Sequence, residues 1–150
     1  MKTLLRFLTI IFIVVNIVAC NDDDKDVPVA FKDVILNEGN TWKKTEYGSV
    51  LIINSQENLE ECVEGEIKDF PKIDFAKYSV LKVSHSSTSA IGSMDKKLYM
   101  IGGSNTKYSL SVDVNLSIYQ AVEEYEVVIA CPKIAEHATV SFSYTSHPPK

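Results

Sequence analysis

The stretch YSLSVDVNLSI, Tyr108–Ile118, alternates without a break. Leu110, Val112, Val114, Leu116 and Ile118 take one set of positions; Ser109, Ser111, Asp113, Asn115 and Ser117 take the other. Successive strand side chains point to opposite faces, so this period of two predicts a strand with one dry and one wet face. Thr139–Thr145 repeats the pattern, with Val140, Phe142 and Tyr144 set against Thr139, Ser141 and Ser143. Between them, Tyr125–Ala130 is apolar on both faces at Val127, Val128, Ile129 and Ala130, which predicts a central strand.

Working outward, further β-forming runs lie around Phe31–Leu36, Thr41–Tyr47, Ser49–Ile53, Tyr78–Ser84 and Lys97–Ile101. Turn clusters at Asn37–Asn40 and Gly102–Asn105 separate some of them. One helix is expected, starting at Asn54 with Glu57 as its capping-box partner and ending near Gly65. Leu59, Cys62 and Val63 would form its apolar stripe. The fold class is therefore mainly β: an antiparallel small barrel or two-layer sandwich with one short helix. A parallel α/β fold is not expected, because crossover helices of ten or more residues are missing between the strands.

The chain has 150 residues, enough for one domain. Its N-terminus, MKTLLRFLTIIFIVVNIVAC, has Lys2 and Arg6 before a short apolar run, the layout of a signal peptide. Ile17-Val18-Ala19-Cys20 resembles the bacterial lipobox. That resemblance implies cleavage after Ala19 and acylation of Cys20, including by palmitate. Residues 1–19 are then a lipoprotein signal peptide, 20–30 a lipidated acidic tether, and 31–147 the β-rich domain. The run Asn21–Asp26 directly after Cys20 resembles the surface-export signal of Bacteroidetes-type lipoproteins, which implies an outer-membrane lipoprotein exposed at the cell surface; a periplasm-facing location is the alternative. Two or more acyl chains hold a protein on a membrane stably. Losing residues 1–19 removes Lys2 and Arg6 and leaves 13 basic against 20 acidic residues, a net charge of −7. An acidic domain lacks the basic face that a nucleic-acid partner requires.

Cys62 and Cys131 remain. In an oxidising compartment they either form a disulfide, closing a loop worth about 4 kcal/mol in the chain-entropy model, or stand as two buried thiols. No CxxC or HxH spacing marks a metal site, and neither a cofactor loop nor a GxSxG elbow is present. Ser84-His85-Ser86 cannot make a nucleophile–base pair directly, because neighbours on a strand face opposite ways. No catalytic residue is assigned. His85–Asp95, HSSTSAIGSMD, reads as a long connection, and long loops tend to bind. Ser87, Thr88, Ser89, Ile91 and Met94 are its candidate binding residues. Trp42, Tyr47, Tyr99 and Tyr108 are candidate stacking rings for a glycan.

Several motifs follow in order: a strand at Val50–Ile53, a Glu-rich helix, Ile73-Asp74-Phe75, a strand at Ser79–Val83 and the alternating strand from Tyr108. This order resembles small Bacteroidetes-type lipoproteins and, more distantly, the protease-complex-stabilising domain related to the C-terminal part of PrcB. The Gly-Gly-Tyr signature of that domain is replaced here by Ser87–Gly92. The resemblance implies a non-catalytic domain that binds a protein, a secreted protease in the PrcB-like case. The competing expectation is a glycan- or small-ligand-binding surface module for nutrient uptake.

Overall fold

The computed structural model describes residues 25–65 and 71–149. In chain order the elements are β1 (Val27–Pro28), β2 (Lys32–Asp33), β3 (Thr41–Trp42), β4 (Val50–Ile53), α1 (Gln56–Glu61), β5 (Val63–Glu64), β6 (Tyr78–Ser87), β7 (Ile91–Met100), β8 (Lys107–Leu116), β9 (Glu123–Pro132) and β10 (Thr139–His147). One four-stranded sheet runs β1-β7-β8-β10 and a second runs β2-β9-β6-β4; β3 and β5 form a small pair of their own. The two large sheets pack face to face as a sandwich and do not close into a barrel.

The alternation read from the sequence explains the packing. Leu110, Val112 and Val114 of β8 are fully buried, and they meet Leu81 and Val83 of β6 and Val127, Ile129 and Cys131 of β9 between the sheets. Ser109, Ser111 and Asp113 stay on the wet side, half-buried. β6 and β9 bury their other face as well. Val80 and Val128 pack against Leu59 of α1 and Ile53, with Trp42, Cys62, Ile73 and Phe75 around them. The second sheet is thus covered on both sides, by a sheet on one and by α1 with the β3–β5 pair on the other.

Several expectations change. The sheets are not wholly antiparallel, because β10 pairs with β8 in parallel from Thr139↔Lys107 to His147↔Asn115. No helix is needed for this crossover. The chain leaves β8, crosses to the opposite sheet as β9, and crosses back, so β9 does the reversing work of a crossover helix.

The His85–Asp95 stretch is not a long loop. β6 continues to Ser87 and β7 begins at Ile91, so only residues 88–90 connect the two sheets. Pairing with neighbours sets these bounds: Ser87 lies opposite Glu123, and Ile91 opposite Leu116. Gly92 sits in a β-bulge, where a Cβ would come 3.3 Å from the Asn115 carbonyl oxygen.

The helix is shorter than expected and starts one residue later. Ser55 is the cap and accepts from the Asn58 amide. Asn54 instead accepts from the Ser79 hydroxyl at 2.5 Å. The helix stops at Glu61 because Val63 is already paired with Trp42. At the N-terminal side, Val27 and Pro28 pair with Met100 and Tyr99, so the last part of the stretch read as tether joins a sheet. Gly102 and Gly103 make the expected tight turn, at φ 55° and 64°.

Candidate functional site

Most of the residues singled out as a binding loop are taken up by the fold. Ser87 is buried at the end of β6, and its Oγ accepts from the Ser89 amide at 3.3 Å. Ile91 and Met94 are half-buried and pack against the inter-sheet core. Thr88 alone is exposed. Cys20, the lipidation residue, and the signal peptide lie outside the described residues.

Cys62 and Cys131 are free thiols. The bridge is not formed, because Cys131 belongs to the inter-sheet core and Cys62 packs against the cluster beneath α1, on the other face of the second sheet. Burial raises the Cys131 thiol to about 11 and pushes the Cys62 thiol up as well. Both therefore sit away from thiolate chemistry.

The outer face of the second sheet holds a cluster that the sequence reading did not anticipate. Lys82 is completely buried, and its Nζ donates to Glu126 Oε2 at 2.8 Å. The Ser84 hydroxyl donates to the same oxygen at 2.7 Å. Ser84 Oγ in turn accepts from the Thr45 amide at 2.7 Å and meets Thr45 Oγ1 at 2.8 Å. The cover segment is pinned there by the Gly48 amide, which donates to the Ser84 carbonyl. Burying an ammonium costs several kcal/mol unless it is paired and bonded in this way. Lys82 Nζ and Ser84 Oγ are 3.4 Å apart, a separation that suggests a serine–lysine nucleophile pair. The rest of the geometry opposes that use. The hydroxyl proton points at Glu126, and Ser84 is fully buried, so a substrate carbonyl has no route to its oxygen.

The edge of this cluster opens to solvent. Glu126, 16% exposed, lines two adjoining clefts of about 540 and 250 Å³ that share Val34, Ile35 and Trp42. The larger also has Lys44 and Glu124 in its wall, and the smaller has Lys96 and Asp33. Lys44 pairs with Glu124, and the Tyr47 hydroxyl donates to Glu124 as well. These bonds hold the Glu124 carboxyl below its usual range, Lys44 contributing more than Tyr47. Two of the four rings singled out for glycan stacking thus gather here: Trp42 lines both clefts, and Tyr47 reaches Glu124. Tyr108 is in the inter-sheet core and Tyr99 lies on β7, so the four do not form one platform. A third cleft of about 520 Å³, lined by Phe31, Ile73, Tyr78 and Pro132 with Lys32 and Lys72, lies near the end where β1 enters.

His85 is enclosed between the sheets by Tyr125, Phe142 and Tyr144, all edge-on, with ring centroids 5.8, 5.6 and 4.3 Å away. Its Nδ1 is buried without a partner, and burial pulls the imidazole below its ordinary pKa. The same burial, aided by the Tyr144 hydroxyl, raises Tyr125. His85 and Ser84 therefore face opposite sides of β6, as alternation requires. Among the described residues, no group of three or more His, Cys, Asp or Glu is arranged to hold a metal ion.

No family model, curated protein or solved structure matches this chain. The functional reading must therefore come from the residues themselves.

Proposed function

We propose that the chain is a lipid-anchored, extracytoplasmic domain that binds another protein and performs no catalysis. One observation carries this reading. Large apolar side chains stand in water at Ile118, Tyr119 and Val122, on one short turn. Exposed apolar patches of this kind mark interaction surfaces. The lipobox-like Ile17–Cys20 supports the anchor, and the acidic run after it supports placement on the outer membrane, facing the cell surface. The PrcB-like order of motifs supports a secreted protease as the partner.

The test has two arms. Cys20→Ala should abolish labelling by a palmitate analogue and leave uncut precursor; labelling that persists would remove the anchor. The mature domain, immobilised and offered the secreted proteases of its own host, should retain one of them. Retention of none removes the protease.

A second reading is favoured by the Trp42 cleft. An indole beside Glu126, Glu124 and Lys44 is chemistry suited to a glycan or another small polar ligand. A glycan array gives the answer: binding that is lost in Trp42→Ala establishes this reading, and a blank array removes it.

A further inference from the structure

Residues 117–122, SIYQAV, join β8 to β9 and carry the most exposed apolar cluster among the described residues. Ile118, Tyr119 and Val122 are 74%, 71% and 78% exposed. Such exposure costs solubility unless it is used. The turn is also held in shape. The Ser117 amide donates to the Ala90 carbonyl at 2.7 Å, and the Ala90 amide donates to the Tyr119 carbonyl at 3.0 Å. The Ile91 amide donates to Glu123 Oε2 at 2.7 Å. The β6–β7 connection therefore clips the turn in place, and ordering it on binding costs little.

Two observations choose the occupant. The first is position. β1, where the chain enters from the tether, pairs with Met100 at the far end of β7, whereas Leu116, at the root of the turn, pairs with Ile91 at its near end. A ten-residue strand separates the two ends, about 30 Å at the usual rise. The stretch from Cys20 to Val27 reaches at most about 25 Å. An anchor at Cys20 holds the entry end beside the membrane and aims the turn away from it. The second is charge. No Lys, Arg or His lies between Tyr108 and Pro132, and Glu123 and Glu124 follow the turn directly. Apolar segments that seat on anionic lipid need an excess of cations around them, and here Lys44 is already paired with Glu124 while Glu123 stands beside the turn.

We propose that the Ser117–Val122 turn is a docking tip for a partner protein, which presents an apolar pocket edged by basic side chains. This rests on the protein-binding reading above. The experiment uses the full-length protein in its own host, with the photocrosslinking residue p-benzoylphenylalanine in place of Tyr119. Irradiation should yield one discrete adduct with a different protein. Ile118→Asp with Val122→Asp should lower the yield of that adduct about tenfold or more, since each buried apolar side chain is worth roughly that factor. Both side chains are solvent-facing, so the melting temperature should not move. The same probe at Tyr78, at the entry end, should not give the adduct. Adducts with lipid alone, with a second copy of this chain, or that survive the double substitution overturn the tip, as does no adduct at all. The probe at Ile35, on the Trp42 cleft, separates the two failures. A protein adduct there and none at Tyr119 overturns the tip alone, whereas no protein adduct at either position overturns the protein-binding reading with it.

Discussion

From Ser79 to Ser84 both faces of β6 are buried, yet they are built from different chemistry. Leu81 and Val83 enter a dry core between two sheets. Val80, Lys82 and Ser84 lie under α1 and the Thr41–Gly48 segment, where a lysine, a glutamate and two hydroxyls share the space with aliphatic side chains. A regular sheet can cover a strand with apolar surface alone. A cover made of a short helix and irregular chain brings its own amides, such as Thr45 N, and these need acceptors. The difference shows where polar groups find partners inside a small domain: beneath the irregular lid Lys82 and Ser84 are bonded, whereas between the sheets the His85 Nδ1 is left without one.

The largest effect should come from the dry face. Leu81→Ala should destabilise the domain by about 3 to 5 kcal/mol, measured by chemical denaturation, because the two packed sheets cannot collapse into the space left. On the polar face, Glu126→Leu should cost about 3 kcal/mol by leaving the Lys82 ammonium buried and alone. Adding Lys82→Met to that variant should recover much of the loss. If the double variant is no better than the single, the two groups are not coupled and the contrast between the faces fails.

The third prediction concerns pH. His85 among its three rings is held below its unfolded pKa of 6.5, so the folded state favours the neutral imidazole. The stability this gives is complete above 6.5 and is lost as pH falls through 6.5 toward the lower folded value, because the unfolded chain takes up the proton first. Denaturation at pH 7.5 and 5 should show this loss, and His85→Phe should remove the histidine's share of it. An unchanged slope in His85→Phe would place the pH sensitivity elsewhere. The smallest effect is at the edge of the lid. Ser55→Ala, which deletes the α1 cap, should cost about 1 kcal/mol.

How much of this could be read in the sequence depended on whether a signal was local. β8 and β10 were legible because one wet and one dry face impose a strict alternation. β9 was legible as a central strand for the same reason, both faces being covered. The ends of β6 and β7 were not legible. His85–Ser87 and Gly92–Ser93 have the composition of a loop, and only pairing with β9 and β8 makes them strands. The helix start moved because Asn54 is claimed by Ser79, a contact that sequence distance hides. The buried ion pair did leave a trace. Lys82 is the one lysine of β6 and Glu126 directly precedes the apolar run of β9, and opposite charges in neighbouring strands within diagonal reach are a signal to pair them. The tip was hidden by a different cause: Ile118 continues the alternation of β8 in sequence, but the strand ends at Leu116 and leaves it in water.

The parallel β8–β10 contact has a consequence for how the molecule comes into being. Because β9 lies in the opposite sheet between them in sequence, the seam beside β8 can close only once β10 has emerged as well. A nascent chain halted before Thr139 would expose an open row of β8 amides and carbonyls, a template for any stray extended peptide. Completing the domain is therefore governed by distant pairing, and its rate should resemble that of slow all-β folders, in the millisecond-to-second range.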